Sequence, residues 1–166
     1  VKVSELEQKA ETAEQYSRRN CLRVSGIPET QSEVTDVKIL DIIKGINVDL
    51  SFIDIDSSHR LGKPRSFASA AAGDRPARQK LYLNNTKLNA SGHAGVYINE
   101  DLTRDRSSMF YHACSLLKTK NVTIVWTADG KILVRENDLT VRRINTTDSL
   151  DELKRCAAPQ VARLNS

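Results

Sequence analysis

An Asp-Gly pair between two apolar runs most restricts the fold of this chain. Val122–Thr127 and Ile132–Val134 are rich in β-branched residues, and Asp129-Gly130 lies between them. Asp-Gly readily adopts the positive φ angles of a two-residue type I′ turn, so the pattern predicts an antiparallel hairpin. Thr140–Ile144 predicts a third short strand.

Helices are predicted on both sides of this hairpin. Residues 104–120 carry apolar side chains at helical spacing, and residues 148–155 present Leu150 and Leu153 on one face. We therefore predict a small α+β domain over residues 100–155, followed by a tail at 156–166.

The first half of the chain predicts a separate unit over residues 20–99. Alternating apolar and polar residues, with Gly and Pro as stop signals, indicate strand, helix, strand, helix and strand in turn: residues 21–28, 32–45, 52–61, 77–88 and 96–98. The small-residue stretch 66–73 is interpreted as a loop. This order is that of a ferredoxin-like or RNA-recognition-type (RRM-like) β-α-β unit that lacks one strand.

Residues 1–19 carry a heptad pattern. Val3, Leu6, Ala10 and Ala13 occupy alternating a and d positions. Two heptads are too short to form a stable helix in isolation, so we interpret them as the end of a longer oligomerising coiled coil. A frayed amphipathic helix is the alternative.

Basic residues are unevenly distributed. The chain carries 25 Lys and Arg against 21 Asp and Glu, and residues 57–95 contain seven basic residues against Asp74 alone. These seven are Arg60, Lys63, Arg65, Arg75, Arg78, Lys80 and Lys87. Such a one-sided block favours a nucleic-acid backbone as partner, because each phosphate contact releases counterions; a solvated loop is the alternative.

Two further basic clusters extend the candidate nucleic-acid surface. One comprises Arg18, Arg19 and Arg23, and the other Lys118, Lys120, Lys131, Arg135, Arg142 and Arg143. Trp126 either stacks on a base or belongs to the core, and the core is the simpler interpretation.

Catalytic and metal-binding patterns are absent from the sequence. It contains no GxxxxGK[ST], GxGxxG, GxSxG or HExxH motif. The three cysteines are scattered, and His112 and Cys114 lie two residues apart on a predicted helix, so they point to different faces. No apolar run reaches 18 residues. We predict a non-enzymatic protein of the cytoplasm or nucleus, with no catalytic residue, metal site, cofactor or membrane span.

Four segments together carry a family resemblance: residues 14–29, 59–64, 98–103 and 126–132, which read EQYSRRNCLRVSGIPE, HRLGKP, INEDLT and WTADGKI. Their order resembles the first-open-reading-frame proteins of LINE-type (non-LTR) retrotransposons, from about Glu14 to Leu153. The resemblance implies a trimerising coiled coil, an RRM-like domain and a C-terminal domain. It also implies binding of single-stranded RNA and DNA, and nucleic-acid chaperone activity in a ribonucleoprotein particle.

The resemblance also assigns roles to individual basic residues. Arg18, Arg19 and Arg23 match the basic junction, Arg60 and Lys63 the end of the second strand, and Arg78 and Lys80 the second helix. The family pattern has an apolar strand before that helix. Here Arg75-Pro76 leads directly into the helix, so that strand is predicted to be missing near residue 76.

Overall fold

The computed structural model describes residues 2–61, 67–72, 75–118 and 122–156. The fold is mixed α+β, with an N-terminal helix and two small sheets. Two compact units divide the chain: the first unit comprises Thr12–Asp101, and the second comprises residues up to Glu11 together with those from Leu102 onward. No helix in the described part is long and apolar enough to cross a bilayer.

Helix α1, Lys2–Ser17, contributes to both units. Among its described residues, the rest of the first unit contains two further α-helices, four strands and two 3-10 turns. In chain order these are β1 (Cys21–Ser25), α2 (Thr35–Gly45), a turn at Phe52–Asp54, β2 (Ile55–Arg60), β3 (Phe67–Ala72), α3 (Arg75–Leu83), a turn at Asn85–Ser91 and β4 (Tyr97–Glu100).

Strand β3 corrects the prediction of a missing strand. The sheet runs β2-β3-β1-β4 with every neighbour antiparallel, so β3 lies between two other strands. Its sequence, FASAAA, is poor in β-formers and was expected to be a loop. Backbone hydrogen bonds to β1 and β2 stabilise this strand, and the strand propensities of its own residues do not predict them.

Helix α2 packs on one face of this sheet. Ile39, Ile42 and Ile43 are buried with Leu22 and other residues of the core, whereas Val34 and Val37 are exposed.

The start of the second strand was also predicted too early. Phe52 and Ile53 lie in an exposed 3-10 turn rather than in β2. The carboxylate of Asp54 accepts hydrogen bonds from the Ser51 backbone N–H at 2.7 Å and from its hydroxyl at 2.9 Å. This capping box turns the chain immediately before β2.

The second unit confirms the predicted hairpin and its flanking helices. Its elements are α4 (Arg104–Lys118), β5 (Val122–Ala128), β6 (Lys131–Glu136), β7 (Val141–Ile144) and α5 (Thr147–Cys156). The strands form an antiparallel sheet in the order β5-β6-β7. Asp129 and Gly130 both have positive φ, as the hairpin turn requires. Helices α4 and α5 pack against one face through a core that includes Ala113, Leu116, Ile132, Val134 and Leu153.

Arg106 connects three parts of the second unit. It donates to the Glu11 carboxylate from Nε at 2.8 Å and from Nη2 at 3.0 Å, and from Nη1 to the Gly130 carbonyl at 2.8 Å. The Thr103 hydroxyl donates to the same carboxylate at 2.7 Å. Burial raises the pKa of Glu11, but these hydrogen bonds outweigh it and lower the pKa below its ordinary value.

Candidate nucleic-acid interface

Many of the basic residues expected to contact nucleic acid are held by carboxylates. At the junction after α1, the Asp101 carboxylate accepts from Arg18 Nη1 at 3.0 Å and from Arg23 Nη2 at 3.1 Å. Arg18 also donates to Glu14 at 2.8 Å. Both arginines remain about one-third exposed, at 32% and 38%. Their charge is therefore partly neutralised within the first unit.

Arg60, at the end of β2, is held more completely. Its Nη2 donates to Glu33 at 2.9 Å and its Nη1 to the Ile27 carbonyl at 2.8 Å. Lys38 Nζ adds a second ion pair to Glu33 at 2.8 Å. Hydrogen bonds from Arg60 and Lys38 hold the pKa of Glu33 far below its usual range. We interpret Arg60 as a tie between β2 and the loop that precedes α2.

Arg78 and Arg142 also engage carboxylates. Arg78 on α3 is buried and forms an ion pair with the buried Glu100 of β4. Arg142 on β7 donates to Glu136 at 2.8 Å and to Glu152 at 3.3 Å. Burial removes Arg78 from the surface, so we exclude it from the candidate interface.

The other predicted cations are scattered or lie outside the described residues. Arg19 is exposed and stacks on the Tyr16 ring, with 4.2 Å from its guanidinium carbon to the ring centroid. Arg75 and Lys80 on α3 and Lys118 on α4 are also exposed. Lys63, Arg65 and Lys120 lie outside the described residues.

The last three predicted cations, Lys131, Arg135 and Arg143, share one face of the β5-β6-β7 sheet. Ile132 and Val134 of β6 point into the helix-covered core, so their neighbours Lys131, Leu133 and Arg135 point to the opposite face. We call this opposite face the open face. The pairing places Ile124, Trp126 and Ala128 of β5, and Val141 and Arg143 of β7, on it as well.

The open face is basic and partly apolar. Lys131 and Arg143 are exposed, and Arg135 is half-buried with its Nε donating to the Thr123 hydroxyl at 3.2 Å. No carboxylate occupies a strand position on this face within residues 122–144. Glu136, the one acidic strand residue, alternates onto the helix-covered side. The open face therefore carries a positive field that no carboxylate on the strands neutralises.

Trp126 does not lie in the core, where the sequence favoured placing it. It is half-buried, but it lies outside the core cluster, to which its neighbour Val125 contributes instead. The signal available in the sequence was the alternation of side chains along β5: Trp126 pairs with Leu133, between Ile132 and Val134, and therefore faces away from the core. A one-residue bulge between Val122 and Ile124 obscures that alternation in the sequence.

The described residues contain no group of three or more His, Cys, Asp or Glu side chains arranged to hold a metal ion. Burial raises the pKa of the half-buried thiols of Cys21 and Cys114. A raised pKa keeps both as the less reactive thiol at neutral pH.

No protein-family model matches this sequence. No curated protein matches it either.

Proposed function

We propose that this protein binds single-stranded RNA or DNA with little sequence preference. We further propose that it acts as a nucleic-acid chaperone in a retrotransposon ribonucleoprotein, in the cytoplasm or nucleus. The observation that carries the proposal is the convergence of Lys131, Arg135 and Arg143 on a sheet face without strand carboxylates.

The first unit supports the family resemblance on which the chaperone role rests. Its βαββαβ order and the strand order β2-β3-β1-β4 are consistent with the split β-α-β, RRM-like domain that the resemblance implies. Strand β3 occupies the place before α3 where the sequence was predicted to lack a strand.

The chemistry of the open face favours backbone contacts over base reading. Lysine and arginine bind phosphate oxygens, which are common to every sequence, whereas reading bases requires donors and acceptors fixed against base edges. Single strands suit a short sheet, because their backbone follows a protein surface more easily than a duplex does.

The salt dependence of binding tests this proposal. We would measure the anisotropy of a labelled single strand of about 30 nucleotides, long enough to cover several domain-sized sites, over a salt series. Replacing the three cations (K131Q, R135Q and R143Q together) should weaken binding and reduce the log–log salt slope by about 2, since each single-strand phosphate contact contributes about 0.7.

A matched triple variant controls for net charge. K2Q, K9Q and K44Q remove the same charge from exposed sites elsewhere and should leave the slope nearly unchanged. The proposal fails if the unmodified protein does not bind at low salt, or if the open-face variant keeps the original slope.

Self-association through α1 is a second candidate function, favoured by one observation. Val3 and Leu6 are 68% and 64% exposed, and Ala10 and Ala13 are also exposed, so the predicted heptad stripe faces solvent. We propose that this stripe packs against copies of itself in a homotrimer.

Sedimentation equilibrium of the chain and of a V3E/L6E variant tests this second function. Concentration-dependent oligomers that disappear in the variant would support it. A chain that remains monomeric at the highest attainable concentration would exclude it.

A further inference from the structure

We propose that Trp126 is a stacking platform for an unpaired nucleobase, surrounded by the cations that hold the strand's phosphates. This inference rests on the proposed function. It adds that the ligand is recognised through the exposed faces of its bases as well as through its phosphates. It assigns Trp126 a contact with the ligand rather than a place in the core.

The register places Trp126 among the three cations of the open face. Trp126 pairs with Leu133, which pairs with Arg143, so these three residues form a row across the sheet. Lys131 and Arg135 flank Leu133 on β6 and are the diagonal neighbours of Trp126, at about 7–8 Å between Cα atoms. Arg143 lies two strands away, at about 10 Å. A nucleotide whose base stacks on the indole therefore has a cation within reach in three directions.

The surroundings of Trp126 favour a ligand contact. Ala128, the next residue of β5 on the open face, is small, and Ile124 and Val141 on the same face are 41% and 54% exposed. An exposed apolar patch with basic neighbours suits a partner that is flat, apolar and anionic at once. Unpaired nucleotides combine these properties. An acidic protein segment or a second copy of this chain lacks this combination, because neither presents flat aromatic rings at regular intervals along a chain of anions.

Stacking also predicts which nucleic acids bind well. Every base has a π face, so the contact tolerates any sequence. Bases in a duplex are already stacked on one another, so their faces are inaccessible. Affinity should therefore depend on the presence of unpaired bases, which phosphate contacts alone would not require.

The intrinsic fluorescence of the protein gives a direct readout, because Trp126 is the only tryptophan in the chain. We expect a thymidine 30-mer to change the emission of Trp126, with the same midpoint as the anisotropy titration. An abasic strand of equal length and a duplex should each bind more weakly and leave the emission nearly unchanged.

Substitution gives the second readout. W126L should weaken binding to the thymidine strand by about 5- to 150-fold, and W126F should restore most of the loss because a phenyl ring also stacks. Y111L is the matched control: it removes another exposed aromatic residue of the same unit, on the outer face of α4, and should leave affinity unchanged. Circular dichroism establishes that each variant is folded, and the fluorescence titration of the unmodified protein does not depend on any variant.

Three outcomes overturn the inference. If the thymidine and abasic strands bind equally and emission does not respond, the platform is absent while nucleic-acid binding stands. If no strand binds at all, the proposed function fails together with the inference. If emission instead changes with protein concentration in the absence of oligonucleotide, Trp126 lies in an interface between copies of the chain.

Discussion

Arg23 on β1 and Asp101, the residue after β4, form an ion pair with 3.1 Å between Nη2 and Oδ1. The same carboxylate accepts from Arg18, and the Asp101 carbonyl accepts from the buried Gln15 side chain at 3.0 Å. Asp101 therefore joins the C-terminal turns of α1 to the sheet of the first unit. The Asp101 side chain is 9% exposed, so water could not easily take over its hydrogen bonds if the carboxylate were removed.

Asp101→Asn should destabilise the first unit. The substitution keeps the shape but leaves two arginines without their shared countercharge, and we expect a loss of about 1–3 kcal/mol in the free energy of unfolding. Urea denaturation followed by circular dichroism measures this. Asp56→Asn, at an exposed position on β2, is the control and should change little. Equal stability of the two variants would contradict a structural role for Asp101.

Glu33 should make stability depend on acid pH. Its pKa in the folded protein lies well below the ordinary glutamate value of 4.5, so the unfolded chain takes up a proton first as pH falls. The contribution of Glu33 is therefore complete above about pH 6 and is lost progressively below about 4.5, as pH falls toward the folded-state pKa. Glu33→Gln should flatten this part of the stability–pH curve between about pH 6 and 3. An unchanged curve in Glu33→Gln would contradict the depressed pKa.

Arg106→Lys should destabilise the second unit although the charge is kept. A lysine presents one nitrogen where the guanidinium contacts both Glu11 oxygens and the Gly130 carbonyl. We expect a loss of about 1–3 kcal/mol in thermal or urea unfolding. Arg104→Lys, an exposed substitution on the same helix, serves as the comparison. Indistinguishable unfolding of the two variants would show that the network contributes little.

Gly26 and Gly92 form a matched pair of glycines with similar positive φ, +86° and +84°. A Cβ at Gly26 would overlap the carbonyl oxygen of Gly95, whereas a Cβ at Gly92 would meet no atom within 4 Å. Gly92→Ala should cost about 1–2 kcal/mol from backbone strain alone. Gly26→Ala should cost more than about 4 kcal/mol or prevent folding. Similar stabilities would mean that the loop at Gly95 moves to accommodate the methyl group.

Local patterns were sufficient to predict much of the fold. The hairpin at Asp129-Gly130, strand β1 and the helices α1 and α4 all follow from turn residues and from the periodicity of apolar residues close together in the chain. Strand β3 was missed because FASAAA has little intrinsic preference for a strand, and its stability comes from pairing with β1 and β2.

The candidate site was less predictable than the fold. Charge in the sequence indicated a basic surface, but it did not distinguish Arg78, which pairs with Glu100, from Arg143, which is exposed. That distinction depends on carboxylates brought close from distant parts of the chain: Asp101 lies 83 residues from Arg18.

The sequence by itself determined the hairpin turn at Asp129-Gly130, the helical segments and the excess of positive charge, because these follow from neighbouring residues. Only the tertiary structure decided which cations are neutralised and which sheet face stays open beside Trp126. Ion pairs and strand faces depend on distances between residues far apart in the chain, and folding alone sets those distances.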